Sequence, residues 1–440
     1  MNRSMTSQPN ILFIVADDLG WADLGCYGGR SDCSPVLDNM AREGLRFTDG
    51  YANSALCSPS RFALITGRYQ YRLRGAAEEP LTGRTHDRAD IGLPPAHPTL
   101  PSVLRDGGYR TALFGKWHLG YPPHFGPRQS GYQEFFGLLG GGVDYFTHRD
   151  RAGHHDLFEN ETPVSVKGYL TDVITDRALA FIRSASAGRK PFFASVHYTA
   201  PHWPWETRDD EALAQKITDI AHTDGGTIEI YQAMIRQMDE GIGRLLTTLR
   251  QCGADSNTLI VFTSDNGGER FSDTWPLIGK KMDLLEGGIR VPLLARWPDG
   301  IEPNRSTLQV AVSMDWMPTM LAAAGLAADS MYPADGISLL PILRDDAPPA
   351  ARDLFWRMKH RDQRAVRSGR WKYLSLDGDE FLFDLETDLR ERANMAMRHP
   401  DILQRLKGAY LQWAATMPPI PDDAVVSHAY TRATLAAPSG

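Results

Sequence analysis

A chain of 440 residues, 42% apolar and 23% charged, is ordinary for a globular protein and long enough to bury a sizeable core. Its net charge of −7, with Lys and Arg dispersed, excludes a basic nucleic-acid surface, and no run approaches the roughly 18 apolar residues of a membrane span. Four cysteines without a Cys-x-x-Cys pair argue against a disulfide framework and against a zinc site. The first seven residues lack the apolar core of a secretory leader, so the expected location is cytoplasmic, or periplasmic or secreted if a leader has been trimmed away. Homo-oligomerisation is left open.

Residues 11–16 follow Pro9 as a short continuous apolar run, the pattern of a strand buried on both faces, and Asp17-Asp18 stand directly after it. Residues 34–45 read as a helix ending at Gly44, and 61–66 as another. A second strand over 108–115 stops before Lys116-Trp117-His118. A long helix covers 169–186, and a third strand 191–196. Residues 228–251 form an amphipathic helix with Tyr231, Ile235, Met238, Ile242, Leu245 and Leu246 at helical spacing. The strand at 259–263 is followed by Asp265-Asn266. Alternating strands and helices to about residue 345 imply an α/β sandwich around a large, mainly parallel sheet. After Pro348-Pro349 the pattern changes to short strands near 364–367, 371–374 and 381–384 with a helix near 400–414. The expected division is a catalytic domain over 1–345 and a small antiparallel α+β subdomain over 346–440, ending in a proline-bearing extended tail.

Ligands of open α/β sheets bind beyond the carboxyl ends of the strands. Asp17-Asp18, Lys116, His118, His202 and Asp265-Asn266 each follow a predicted strand, so they can converge although some 250 residues separate the first from the last. Three carboxylates and an amide oxygen are hard donors, suited to Ca²⁺ or Mg²⁺ rather than zinc. An Asp-Asp pair after a strand is also a common turn or helix cap.

Cys57-Ser58-Pro59-Ser60-Arg61 has several readings. The cysteine is a small buried hydrophobe, or the segment is a turn into a helix whose N-terminus can face an anion. A cysteine phosphatase loop fails, because the position six after Cys57 is Ala63 rather than arginine. With Leu64, Thr66, Gly67 and Arg68 added, the segment resembles the signature of type I sulfatases of the alkaline phosphatase superfamily. Further segments are similar to that family: 10–20, 108–120, Ala200-Pro201-His202-Trp203-Pro204, and Lys281 with 286–292. Trp371-Lys372-Tyr373 and Phe383-Asp384-Leu385 resemble its closing sheet, and 136–145 with His148 looks closest to its arylsulfatase B-like (N-acetylgalactosamine-4-sulfatase) branch.

The resemblance implies an alkaline phosphatase-like sandwich and hydrolysis of a small-molecule or saccharide sulfate ester. It implies that a maturation enzyme converts Cys57 to formylglycine, whose hydrate is the nucleophile. One divalent cation, Ca²⁺ first and Mg²⁺ or Mn²⁺ as alternatives, would sit between Asp17, Asp18, Asp265, Asn266 and residue 57. Arg61, Lys116 and His118 would hold the hydrate, and His202 and Lys281 the sulfate. Lys281 is preferred to Lys280 because it stands five before Glu286, as in the family. His197 reads as a satisfied strand-end residue. The group His148, Arg149, Arg151, His154 and His155 reads as a solvated loop or as an entrance for an anionic substrate, and Trp203 and Trp205 as core or as ring platforms. Two rivals stay in view: a phosphonate monoester or phosphodiester hydrolase on the same scaffold, and a non-catalytic binding protein.

Overall fold

The computed structural model describes residues 8–217 and 225–427. Its central element is strand β1, Asn10–Ala16, the apolar run after Pro9. Successive side chains on a strand point to opposite faces. Leu12, Ile14 and Ala16 therefore enter one core, while Ile11, Phe13 and Val15 enter another.

Nine further strands complete this sheet among the described residues: β2 Leu45–Phe47, β3 Arg110–Gly115, β4 Glu134–Gly137, β5 Phe158–Glu159, β6 Thr162–Pro163, β7 Phe192–His197, β8 Thr258–Ser264, β9 Leu293–Arg296 and β10 Arg305–Thr307. Their spatial order is β10-β2-β9-β8-β1-β7-β3-β4-β5-β6. Strands β8, β1, β7, β3 and β4 run parallel, and β9 and β5 are antiparallel to the outer members of that group.

Helices cover both faces. α1 Pro35–Arg42, α4 Leu170–Ser186 and α5 Ile228–Gln251 lie on the face of Leu12, contributing Leu37, Ile174, Ile182, Met238 and Ile242. α2 Cys57–Thr66, α3 Leu100–Asp106 and α6 Trp316–Ala323 lie on the face of Phe13, contributing Phe62, Leu104, Trp316 and Met320. α5 has the expected bounds, and the Thr227 hydroxyl caps it by accepting from Ile230 N at 3.3 Å. α2 begins at Cys57, four residues before the expected start. Pro59 is tolerated because a helix's first turn has no use for its missing N–H.

The expected C-terminal antiparallel sheet is present with one strand more: β11 Asp353–Met358, β12 Gln363–Ser368, β13 Trp371–Leu376 and β14 Asp379–Asp384, each paired with the next. One face packs Val366, Tyr373 and Leu382 against Leu403, Leu406 and Tyr410 of α7, Pro400–Ala414. Its other face joins Leu354, Trp356, Leu374 and Phe383 to Ala55, Leu56, Met282 and Leu284. The small sheet thus backs the start of α2 and the segment after Lys281. Residues 418–427 run back along the molecule, where Glu79 N donates to Val425 O at 2.9 Å and Ser427 N to Glu79 O at 2.8 Å. The expected tail beyond 427 lies outside the described residues. No helix among the described residues is long and apolar enough to cross a membrane.

Candidate active site

Parallel registers bring the strand-end residues to one edge. Ala16 stands opposite Ser264, and Gly115 opposite His197, so Asp17, Asp265 and Lys116 leave the sheet side by side. Backbone bonds lock them there: Asp17 N to Ala200 O at 3.1 Å, Asp265 N to Ala16 O at 3.2 Å, and Lys116 N to His197 O at 2.9 Å. Asp18 (φ +63°) and His118 (φ +61°) both occupy the left-handed region. Such a conformation is costly for residues other than glycine and clusters at functional sites.

The first residue of α2, Cys57, is buried at this edge. Burial pushes its thiol pKa up, against the lowering fields of Lys116 and Lys281. The approach to α2 is fixed by Ser60, whose hydroxyl accepts from Ser54 N at 3.0 Å and donates to Ser54 O at 2.9 Å. One turn along, Arg61 donates to Asp265 Oδ2 through Nε at 2.9 Å and pairs with it through Nη2 at 2.8 Å. Its Nη2 lies 3.8 Å from Asp17 Oδ1, and Nη1 donates to Lys116 O at 3.2 Å.

Two lysines complete the cationic lining. Lys116 Nζ donates to Asp17 Oδ2 at 2.6 Å, and Lys281 Nζ to Asp18 Oδ2 at 2.7 Å. Burial would raise the Asp18 pKa, but Lys281 and His202 outweigh it and hold the carboxyl well below its ordinary range. Asp17 goes the other way, pushed up to about 8 by burial and the facing Asp265, against Lys116 and Arg61. His202 Nε2 lies 3.7 Å from Asp18 Oδ2, while Nδ1 lies 2.7 Å from Trp203 O. A carbonyl only accepts, so Nδ1 carries the proton of the neutral ring and Nε2 faces the site. The same logic at His118 puts the proton on Nε2, 2.8 Å from Leu81 O. Both histidines are driven well below their ordinary pKa, first by burial and then by Lys281 for His202 and Lys116 for His118.

The donors fit a hard cation. Asp17 Oδ1 and Asn266 Oδ1 are buried without a hydrogen-bond partner, while Asn266 Nδ2 donates to Asp18 Oδ1 at 2.7 Å and Gly267 O at 2.9 Å, which fixes its oxygen side. Ligand atoms of Asp17, Cys57 and Asp265 lie within 4.8 Å of one another, as do those of Asp17, Asp18 and His202. A divalent cation among these oxygens would favour the charged form of the crowded carboxylates.

A family model described as Sulfatase matches residues 9–326, a span that holds every one of these side chains. The chain belongs to the sulfatase family. A second model, N-sulphoglucosamine sulphohydrolase, C-terminal, matches residues 275–412 of the sulfatase. The dog N-acetylgalactosamine-6-sulfatase (Canis lupus familiaris) is 34% identical over 355 residues, 76% of this chain and 66% of that one. The chain therefore spans about two thirds of the length of such curated relatives. Human (Homo sapiens) arylsulfatase A is 31% identical, covering 91% and 86% of the two chains. Among solved structures, Ps i-CgsB in complex with k-i-k-neocarrahexaose superposes with a TM-score of 0.83 at 29% identity, covering 93% of each chain.

Within this sulfatase, Lys281 is buried against Asp18 whereas Lys280 is half-buried at the surface, so the geometry brings Lys281 to the cluster. His197 ends β7 as expected, but it is not fully satisfied. Its Nδ1 lies 3.3 Å from both Arg61 Nη1 and Lys116 O, while Nε2 is buried without a partner. His148 is buried rather than solvated, because its loop folds inward through His148 N to Asp144 O at 3.0 Å; Arg149, Arg151 and His154 stay exposed. Trp205 is core, edge-on to Phe271 at 4.7 Å, and Trp203 is half-buried beside His202 at 4.3 Å.

Two features of the site escape a reading of strand-end motifs. Gly141 and Gly142 lie against both histidines: a Cβ at Gly141 would stand 2.9 Å from His118 Cε1, and one at Gly142 3.1 Å from His202 Cε1. The Gly140-Gly141-Gly142 run is the signal that could have marked this close approach. Glu269, buried beside Lys281 and raised to about 7 by burial, carries no signal except its place after Asp265-Asn266-Gly267-Gly268.

Proposed function

We propose that this sulfatase hydrolyses a sulfate monoester of a saccharide to an alcohol and inorganic sulfate, with residue 57 as the nucleophile. The observation that carries this reading is the buried meeting of Cys57 with Arg61, Lys116, Lys281, His118 and His202 around four oxygen donors.

In the active form Cys57 has been converted by a maturation enzyme to formylglycine, whose hydrate supplies the attacking oxygen. Asp17, Asp18, Asp265 and Asn266 would hold the divalent cation, Ca²⁺ before Mg²⁺ or Mn²⁺. Once bound, it supplies Lewis-acid polarisation and lowers the pKa of a hydroxyl beside it. Arg61 anchors the Asp265 side of the pocket at the root of the nucleophile. Lys116 and Lys281 are fixed positive charges facing the oxygens onto which charge spreads as the S–O bond breaks. They need no reorganisation because Asp17 and Asp18 already hold them. His202, with Nδ1 tied to Trp203 O, presents Nε2 to the leaving oxygen and, as the imidazolium that carries a second proton on Nε2, donates that proton there. His118, tied through Nε2 to Leu81 O, keeps Nδ1 buried and unpartnered to take a proton from the second hydroxyl of residue 57, whose carbon–oxygen bond to the sulfate then breaks, releasing sulfate and leaving the aldehyde for water to rehydrate.

A saccharide as the organic part is supported by the sugar complex of Ps i-CgsB and by the name of the dog relative. Trp203, half-buried beside His202, is an aromatic side chain near the point where the organic part would leave. The test is free-sulfate release by matured, Ca²⁺-supplied protein across sulfated mono- and oligosaccharides, aryl sulfates and alkyl sulfates. Release from at least one saccharide sulfate is expected. Hydrolysis of a phosphate diester with no sulfate release from any ester would overturn the reading.

A further inference from the structure

We propose that Ser58 is a positioning residue for His118, acting through Leu81. This rests on the role given to His118 in the reading above. Leu81 N donates to Ser58 Oγ at 2.9 Å, and Leu81 O accepts from His118 Nε2 at 2.8 Å. Ser58, Leu81 and His118 are all essentially inaccessible to solvent, so water cannot replace either bond. The other ring nitrogen of His118 has no partner, which leaves Leu81 as the imidazole's one hydrogen-bond anchor among the described residues. The ring lies close against Gly141, where an added Cβ would stand 2.9 Å from His118 Cε1.

Leu81 is a loop residue, and a loop carbonyl orients a ring only if the loop is itself held. Ser58 supplies that hold from the first turn of α2, next to the nucleophile. Two residues upstream, Glu79 supplies a second one. Its carboxylate accepts from Lys359 N at 2.6 Å and His360 N at 2.8 Å, and its backbone pairs with Val425 and Ser427. The acceptor of residue 57's proton is thereby registered to the helix that carries residue 57, and braced from the C-terminal sheet and the returning chain. A ring shifted by about 1 Å in such a step costs up to roughly 10²-fold in rate.

The experiment is a double-mutant cycle on kcat for a sulfate ester, with each preparation normalised to its formylglycine content at residue 57 by peptide mass spectrometry. Ser58→Ala should lower kcat about 10-fold with KM within about twofold, and Ser58→Thr, which keeps the acceptor oxygen, should restore most of the loss. In a His118→Ala background Ser58→Ala should change kcat by less than about twofold. An undiminished Ser58→Ala loss in that background overturns the proposal while leaving the catalytic reading intact. A parent without sulfate release, or a silent His118→Ala, fells the reading and the proposal with it. If Ser58→Ala does not fold, the same cycle with Glu79→Ala decides, with the same expected loss of effect once His118 is gone.

Discussion

Asp18 Oδ2 receives Lys281 Nζ at 2.7 Å and faces His202 Nε2 at 3.7 Å, so one carboxylate oxygen stands between a fixed cation and an imidazole nitrogen. These two neighbours should respond differently to the leaving group. An alkoxide needs a proton in the transition state and a stable phenolate hardly does. His202→Ala should therefore lose roughly 10²-fold more rate on an alkyl or sugar sulfate than on 4-nitrophenyl sulfate. Lys281→Ala, acting on sulfate charge, should slow both esters by similar factors. Equal leaving-group dependence in the two variants would refute this division of labour, and a selective loss in His197→Ala would move the acid to His197.

The oxygen cluster makes a second prediction. Asp17→Ala and Asp265→Ala should each lower kcat by roughly 10³-fold, because each removes a donor and the nearest carboxylate of Lys116 or Arg61. Chelator treatment should abolish activity and lower the melting temperature, with Ca²⁺ restoring both. Unchanged activity in metal-stripped protein, verified by elemental analysis, would exclude a catalytic cation.

These strand-end residues were legible in the sequence because parallel strands deliver whatever follows them to one edge. The apolar runs before Asp17, Lys116 and Asp265 mark such strands plainly. Less was visible wherever a contact joins distant segments through backbone atoms. Leu81 has no motif, and its importance comes from its N–H and carbonyl. β2 and β9 leave no mark because three- and four-residue strands carry too little periodicity. β11 is hard to read because Asp353–Met358 follows a proline-rich break and its apolar residues alternate imperfectly. Composition makes the loop holding His148 read as solvated or as an entrance for an anion, yet tertiary packing buries His148.

A third prediction concerns the junction between the two sheets. Lys372 Nζ is buried between Glu286 Oε1 at 2.9 Å and Glu391 Oε1 at 2.8 Å. Burial would raise the Glu286 pKa, and Lys372, followed by Arg290 and Arg367, pulls it below the usual carboxylate range instead. Lys372→Ala removes the cation shared by Glu391 and Glu286, leaving Glu286 the cations Arg290 and Arg367, and should cost about 3 kcal/mol of stability by urea denaturation. A cost under about 1 kcal/mol would mean that solvent reaches the pair.

Glu206 gives a pH prediction outside the catalytic cluster. Burial and the neighbouring Asp144 carboxylate push its pKa up to about 9. Between its ordinary value and about 9 the folded state binds the extra proton and the unfolded state does not, so this group makes stability fall as pH rises across that window. Glu206→Gln keeps a neutral side chain and should flatten the decline. Melting temperatures of the parent and variant should diverge from pH 6 to 9, the parent falling faster; parallel curves would show that Glu206 is ionised throughout.

The most direct measurement of the central claim is inorganic sulfate released per chain by matured, Ca²⁺-supplied protein and by its Cys57→Ala variant, with residue 57 checked by intact-protein mass. Continuous multiple turnover is expected only where residue 57 carries formylglycine, with no release above background from Cys57→Ala in spite of a parent-like fold. Turnover by Cys57→Ala at the parent rate would contradict the claim.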